Sequence, residues 1–247
     1  MKRVAFSFLA LALLSTCAVF SNFAAANDAG PGVSADEALR LLVQGNERFA
    51  ANKTAHPHSN FDRLVDTAEH GQHPFATVLG CSDSRVPVEL LFDQGFGDVF
   101  VVRVAGGVCA DDETGSIEYG VSHLGTPILV VLGHTQCGAV TATVEHEHAD
   151  GHIKSLVSHI EPAVKRVRAA RPELSGAALI EAAVVENAYV AVEELFEHSP
   201  MTVEALEKGK LWIVPAIYNV KTGKVDWRAP IKSKKDLKEK RDAKLAL

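Results

Sequence analysis

Four short apolar runs punctuate the chain: Pro74–Gly80 (PFATVLG), Val99–Val104 (VFVVRV), Ile128–Leu132 (ILVVL) and Leu211–Val220 (LWIVPAIYNV). Each is rich in β-branched residues and apolar at successive positions, the pattern of strands covered on both faces. Between them the apolar spacing changes to that of helices, at about 112–124, 137–149, 152–170 and 173–198. A further helix is predicted at about 34–52, where Ser34-Ala35-Asp36-Glu37 forms a capping box ahead of Ala38, Leu41, Leu42 and Phe49. Strands alternating with helices predict an α/β fold, with a central, mostly parallel sheet flanked by helices. Pro215 inside the fourth run predicts an edge or irregular strand, because proline cannot donate to a ladder.

The ends read differently. Lys2 and Arg3, the apolar stretch Val4–Leu14 and Ala24-Ala25-Ala26 have the order of a secretory signal cut near Ala26. Residues 1–26 are therefore expected to be a signal peptide and 27–33 a Gly/Pro linker. Residues 34–231 are expected to form the domain, followed by a basic, solvated tail over 232–247. Export to the periplasm or beyond follows, with lipidation at Cys17 a lesser alternative. No other segment is apolar enough to span a bilayer. The formal charge of −6 argues against a nucleic-acid partner. Four cysteines in 247 residues are too few for a disulfide scaffold.

The chemistry gathers at strand ends, where open α/β sheets place their sites. The first strand runs out into Cys81-Ser82-Asp83-Ser84-Arg85, and the third into Gly133-His134-Thr135-Gln136-Cys137. If these strands are neighbours, Cys81, Asp83, His134 and Cys137 meet at one rim. Two thiolates, an imidazole and a carboxylate suit zinc, which takes S, N and O ligands tetrahedrally. Singly, each residue has a plainer reading: a strand-end cysteine is usually a small apolar residue. A Cys81–Cys137 disulfide is the other alternative that export permits. His146, His148 and His152 follow in an acidic stretch and read as a solvated face before a metal site or proton relay.

CSDSR at 81–85 together with GHTQCGAV at 133–140 resembles the β-class carbonic anhydrases, in a bacterial, exported form. Phe75–Gly106, Gly115–Gly120 and the Gly45-Asn46-x-Arg48-Phe49 stretch are similar to that family as well, and nearly all of 34–227 is covered in order. The resemblance implies a zinc lyase for reversible hydration of carbon dioxide to bicarbonate and a proton, with zinc hydroxide as nucleophile. It implies Cys81, His134 and Cys137 as constant ligands, and Asp83 as either the fourth ligand or the partner of Arg85. It implies Gln72, Phe100 and Tyr119 as pocket residues, with Gly106 and Gly107 presenting backbone amides. The implied assembly is a homodimer or a multiple of dimers. Some bacterial members carry a tryptophan three residues before the first ligand, in a bicarbonate-regulated pocket; this chain has Val78 there, although it keeps an arginine at Arg103. Cys109 fits no motif and reads as a buried or free thiol. Rival readings are a non-catalytic zinc protein, a hydrolase of carbon disulfide or carbonyl sulfide, and a redox protein using Cys81 and Cys137.

Overall fold

A computed structural model describes residues 32–146 and 149–245, with side chains to residue 241. Helix α1 (Ala35–Ala50) starts where its capping residue predicts: Ser34 Oγ accepts from Glu37 N at 3.2 Å. Then come α2 (Phe61–His70), β1 (Ala76–Cys81), α3 (Val88–Leu91) and β2 (Val99–Val104). A 3₁₀ turn over Ala105–Gly107 leads to α4 (Asp111–Glu118), a π turn over Tyr119–His123 and β3 (Ile128–His134). Four helices follow, α5 (Gly138–Val144), α6 (Ile153–Ala170), α7 (Gly176–His198) and α8 (Pro200–Glu207). The chain closes with β4 (Trp212–Tyr218), β5 (Val225–Trp227) and α9 (Lys234–Leu245).

The sheet has the order β2-β1-β3-β4-β5, with all neighbours parallel except the antiparallel β4–β5 pair. Period-2 alternation sorts its side chains onto two cores. Leu79, Val102, Leu129, Val131, Ile213 and Ile217 pack under α5, α6, α7 and α8. Val78, Ile128, Val130, Leu132, Val214 and Ala216 pack against Ala38 and Leu42 of α1 and against Leu91 and Phe92. Each fully buried aliphatic side chain contributes about 1.5–3 kcal/mol, so the two-sided burial accounts for the unbroken apolar runs.

Four features depart from the pattern-based expectation. Pro215 is not on an edge, because β5 covers β4. Its missing N–H falls in a gap, between the β5 pairs at Ala216–Tyr218 and an isolated bridge from Ile213 to Ile231, so no ladder bond is lost. The helix expected through residue 124 loosens into the π turn after Glu118. There Gly120 packs so close to β1 that a Cβ would stand 2.4 Å from Thr77 Oγ1. The tail is not simply solvated: α9 buries Leu237 in the α7 core, and Arg241 pairs with Glu193 of α7. Helix α2, which lacks a long apolar pattern, was not anticipated. The expected signal segment, Cys17 and His148 lie outside the described residues.

Candidate metal centre

Strands β1 and β3 are direct neighbours, with Gly80 opposite Leu132, so the two chemically rich exits share one rim. Cys81 is the last residue of β1 and His134 the last of β3. Past His134 the chain turns through Gln136, which takes a positive φ of 58°, and Cys137 becomes the N-cap of α5. The ligand atoms of Cys81, His134 and Cys137 lie within 4.8 Å of one another, and all three residues are buried. Both cysteines, and Cys109, are free thiols, against the disulfide alternative.

The cluster's electrostatics are those of a site waiting for a cation. His134 Nδ1 lies 2.9 Å from the Thr135 carbonyl oxygen, which makes Nδ1 the N–H donor and leaves Nε2 its lone pair. Nε2 is buried and has no hydrogen-bond partner. A buried polar atom without a partner is costly, and a metal ligand facing two sulfurs resolves the cost. The Cys81 thiol is pulled well below its ordinary range, chiefly by a hydrogen bond from Cys137. Burial opposes this, and His134 and the backbone N–H groups of Asp83 and Gly106 assist. Those N–H groups lie 3.4 and 3.2 Å from Cys81 Sγ. Cys137 moves the opposite way, pushed up by the same hydrogen bond and by burial.

Asp83 stands beside this cluster, its Oδ2 4.0 Å from His134 Nε2. Arg85 engages both its oxygens: Nε donates to Oδ1 at 2.9 Å and Nη2 to Oδ2 at 2.7 Å, and the Arg85 backbone N–H also reaches Oδ1. The Arg85 side chain thereby holds the Asp83 carboxyl far below the usual carboxylate range. Arg85 is itself anchored to the Gln136 carbonyl oxygen at 3.1 Å, tying one exit loop to the other.

Gly106 and Gly107 reach the rim as well, at positive φ of 77° and 62°. Gln72, Phe100 and Tyr119 do not lie at this rim within their own chain. Phe100 pairs with Thr77, whereas Cys81 pairs with Val104. Four residues of strand separate the two, about 13 Å at 3.3 Å per residue. Tyr119 stacks on Phe100 at 5.7 Å between ring centroids, and exposed Gln72 precedes β1. All three therefore gather at the opposite end of the strands. Val78 is buried on the α1 face of the sheet. Arg103 binds backbone, donating to the carbonyls of Cys81 and Asp83 at 2.9 and 2.7 Å. Cys109 is buried and bonded to Thr114, and burial raises its pKa to about 11, in keeping with an inert thiol. His146 lies in a cavity of about 340 Å³ between α5 and α6, with Glu161, Lys165 and Arg168.

Sequence reasoning missed Asn187. This buried α7 residue donates to the Gly106 carbonyl oxygen at 2.9 Å. In the sequence, Asn187 beside Glu186 reads as an ordinary polar helix position, and nothing there marks it as buried.

Among the described residues, no helix is long and apolar enough to cross a membrane. The family model described as carbonic anhydrase matches residues 76–225. A carbonic anhydrase of Mycolicibacterium smegmatis is 37% identical over 196 residues, covering 78% of this chain and 92% of the relative. Carbonic anhydrase 2 of Mycobacterium tuberculosis is 36% identical, covering 78% and 93%. The solved β-carbonic anhydrase of Coccomyxa, in complex with acetazolamide, superposes with a TM-score of 0.65 at 26% identity, covering 85% of this chain and 98% of that one. Fold, rim cluster and these likenesses agree: the chain belongs to the carbonic anhydrase family, in its β class, and carries that activity.

Proposed function

We propose that the chain is a zinc enzyme, that Cys81, His134 and Cys137 hold the ion, and that Asp83 and Arg85 act as a dyad at the open side of the site. The observation that carries this is the buried, partnerless Nε2 of His134 facing two sulfurs within 4.8 Å. A soft S, N, S donor set favours zinc over oxygen-seeking cations such as magnesium or manganese. When bound, zinc supplies the Lewis acidity that makes hydroxide available near neutral pH for attack on carbon dioxide.

The chain's own residues do the rest. Arg85 occupies both oxygens of Asp83, so this carboxylate is kept from any ion that Cys81, His134 and Cys137 would hold. Arg85 keeps Asp83 in its ionised form, and the carboxylate's remaining lone pairs can accept a hydrogen bond from a water approaching the cluster. Gly106, without a Cβ, lets backbone reach Cys81.

The apolar wall for carbon dioxide comes, in this reading, from a second copy. Phe100 and Tyr119 are too far from the cluster of their own chain, and Tyr119 is 40% exposed. The chain also leaves other apolar side chains uncovered: Phe61, Leu64 and Val65 of α2, with Leu90 and Phe96. α2 buries no residue within its own chain, and a ten-residue helix is marginal without packing. A homodimer, or a multiple of dimers, covers that face and places the aromatic residues against a partner's rim. Export after cleavage near Ala26 belongs to the same proposal and is supported by the composition of the first 26 residues.

The test is stopped-flow hydration of carbon dioxide on protein stripped by chelator and then restored with single metals. Zinc, added to one equivalent per chain, is expected to restore the rate, while magnesium and manganese are not. Full activity of verified metal-free protein overturns the proposal.

A further inference from the structure

Each side chain of the cluster has a backbone partner behind it. For His134 it is the next residue's carbonyl, and for Cys137 the N–H groups of Ala139 and Val140. Those supports are local and come with the turn. Cys81 differs. One of its N–H donors belongs to Gly106, 25 residues further along, and Gly106 is in turn gripped by Asn187 from α7.

We propose that Asn187 is a positioning residue for the metal centre: it pins Gly106 so that the glycine N–H points at Cys81 Sγ, and this raises the affinity of the site for its ion. The inference rests on the reading of Cys81 as a ligand and goes beyond it to a residue outside both ligand loops.

Three observations carry it. Asn187 is buried in α7, where an aliphatic side chain would need no hydrogen-bond partner. A buried amide left unpaired costs about 1–3 kcal/mol, so its presence there marks a position where the hydrogen bond matters. Its Nδ2 is spent on the Gly106 carbonyl oxygen at 2.9 Å. Secondly, Gly106 sits at φ 77°, a conformation that side-chain-bearing residues rarely adopt, so a stiffer residue is strained there. Glycine is the most freely rotating residue, and freedom is the wrong property beside a metal ligand. Pinning the carbonyl fixes ψ, and the N–H···S contact fixes φ. Neither dihedral can then drift without breaking a bond. Thirdly, the other N–H on Cys81 Sγ, from Asp83, is restrained in the same manner: Arg103 grips the Asp83 and Cys81 carbonyl oxygens. Both donors to this one sulfur are thus steadied by distant side chains, one from α7 and one from β2.

Donated N–H groups draw electron density from a thiolate and stabilise it as an anion before the ion arrives. With Asn187 gone, the Gly106 carbonyl loses its partner, the glycine regains its rotation, and Cys81 loses its nearer donor.

The experiment measures zinc affinity of the full chain by competition with a chromophoric chelator, and records the thiolate-to-metal charge-transfer bands of the cobalt-substituted protein. Asn187→Leu removes the donor at similar size, and Asn187→Asp sets an acceptor against the carbonyl. Val190→Ala perturbs the same buried helix without touching Gly106 and controls for general loosening. Both Asn187 variants are expected to bind zinc about 10–100-fold more weakly and to shift the cobalt bands, while Val190→Ala matches the wild type in both. If Asn187→Leu does not fold, Asn187→Asp and the shorter Asn187→Ser carry the same expectation. Wild-type affinity and bands in the Asn187 variants overturn the role of Asn187 alone. The same loss in Val190→Ala also overturns it, by making the effect generic. A wild-type protein that binds no zinc, or a Cys81→Ser protein that keeps it, overturns the ligand assignment and this inference with it.

Discussion

The two ends of the central sheet are built to opposite plans. At the C-terminal ends of β1 and β3, Cys81, His134 and Cys137 are buried, mutually close and supported from behind, all by one chain. At the N-terminal end, Phe100 and Tyr119 stack in a half-open setting, and α2, the helix that leads into β1, buries no residue. One end is finished within the chain; the other presents apolar surface of the kind that subunit contacts cover. The contrast separates two jobs. Holding an ion requires ångström-level placement, best achieved inside one fold, whereas walling a small apolar substrate requires only surface, which a second copy can supply.

The largest effect is expected at the finished end. Cys81→Ser removes one of two thiolates from a three-residue site. Metal content by mass spectrometry should drop to trace levels, activity to background, and thermal stability with them, since metal binding contributes folding free energy. A smaller loss separates the dyad from the ligands. Arg85→Ala leaves Cys81, His134 and Cys137 intact but frees Asp83, 4.0 Å from His134 Nε2, to take the fourth position. Full zinc with about a 100-fold lower hydration rate is expected on the same preparation. Full zinc with near-normal rate would show that the pairing is unnecessary.

The unfinished end is tested by Leu64→Asp on the exposed face of α2. Light scattering should find monomer, and activity should fall in step with the monomer fraction while zinc stays stoichiometric. An unchanged oligomer, or a fully active monomer, breaks the comparison, because the chain would then supply its own wall. The smallest expected effect lies beneath the rim, on α7, next to Asn187. Burial pushes the Glu186 carboxyl up to about 6, against its pairing with Arg166. The folded chain thus holds this proton more tightly than the unfolded chain. Its contribution is present below pH 4.5 and is lost as pH rises through 6. Glu186→Gln should therefore gain about 1–2 kcal/mol on the parent between pH 4.5 and pH 7 in denaturant melts, with zinc content unchanged.

What the sequence made legible follows the same divide. β2 spans the residues its β-branched run predicts, and β1, β3 and β4 fall within a few residues of theirs, because two-sided burial leaves a continuous apolar signature. The ligand loops were legible because cysteine, histidine and aspartate at strand ends are rare enough to stand out. Helix α2 was missed although Phe61, Leu64, Val65 and Ala68 sit at helical spacing behind the capping Asn60: at ten residues the run is short, and none of its residues is buried in the chain's own core. α9 was missed because a single buried leucine, Leu237, anchors a helix otherwise made of charges. The positions of Gln72, Phe100 and Tyr119 relative to the cluster depend on strand register, which residue types do not encode. Asn187 was hidden for a similar reason, since its partner Gly106 lies 81 residues away.

X-ray absorption at the zinc edge of the zinc-loaded full chain tests the central claim most directly. One zinc per chain is expected, with two sulfur neighbours at about 2.3 Å and two nitrogen or oxygen neighbours at about 2.0–2.1 Å. A first shell with one sulfur, three sulfurs or none would contradict the Cys81, His134 and Cys137 centre.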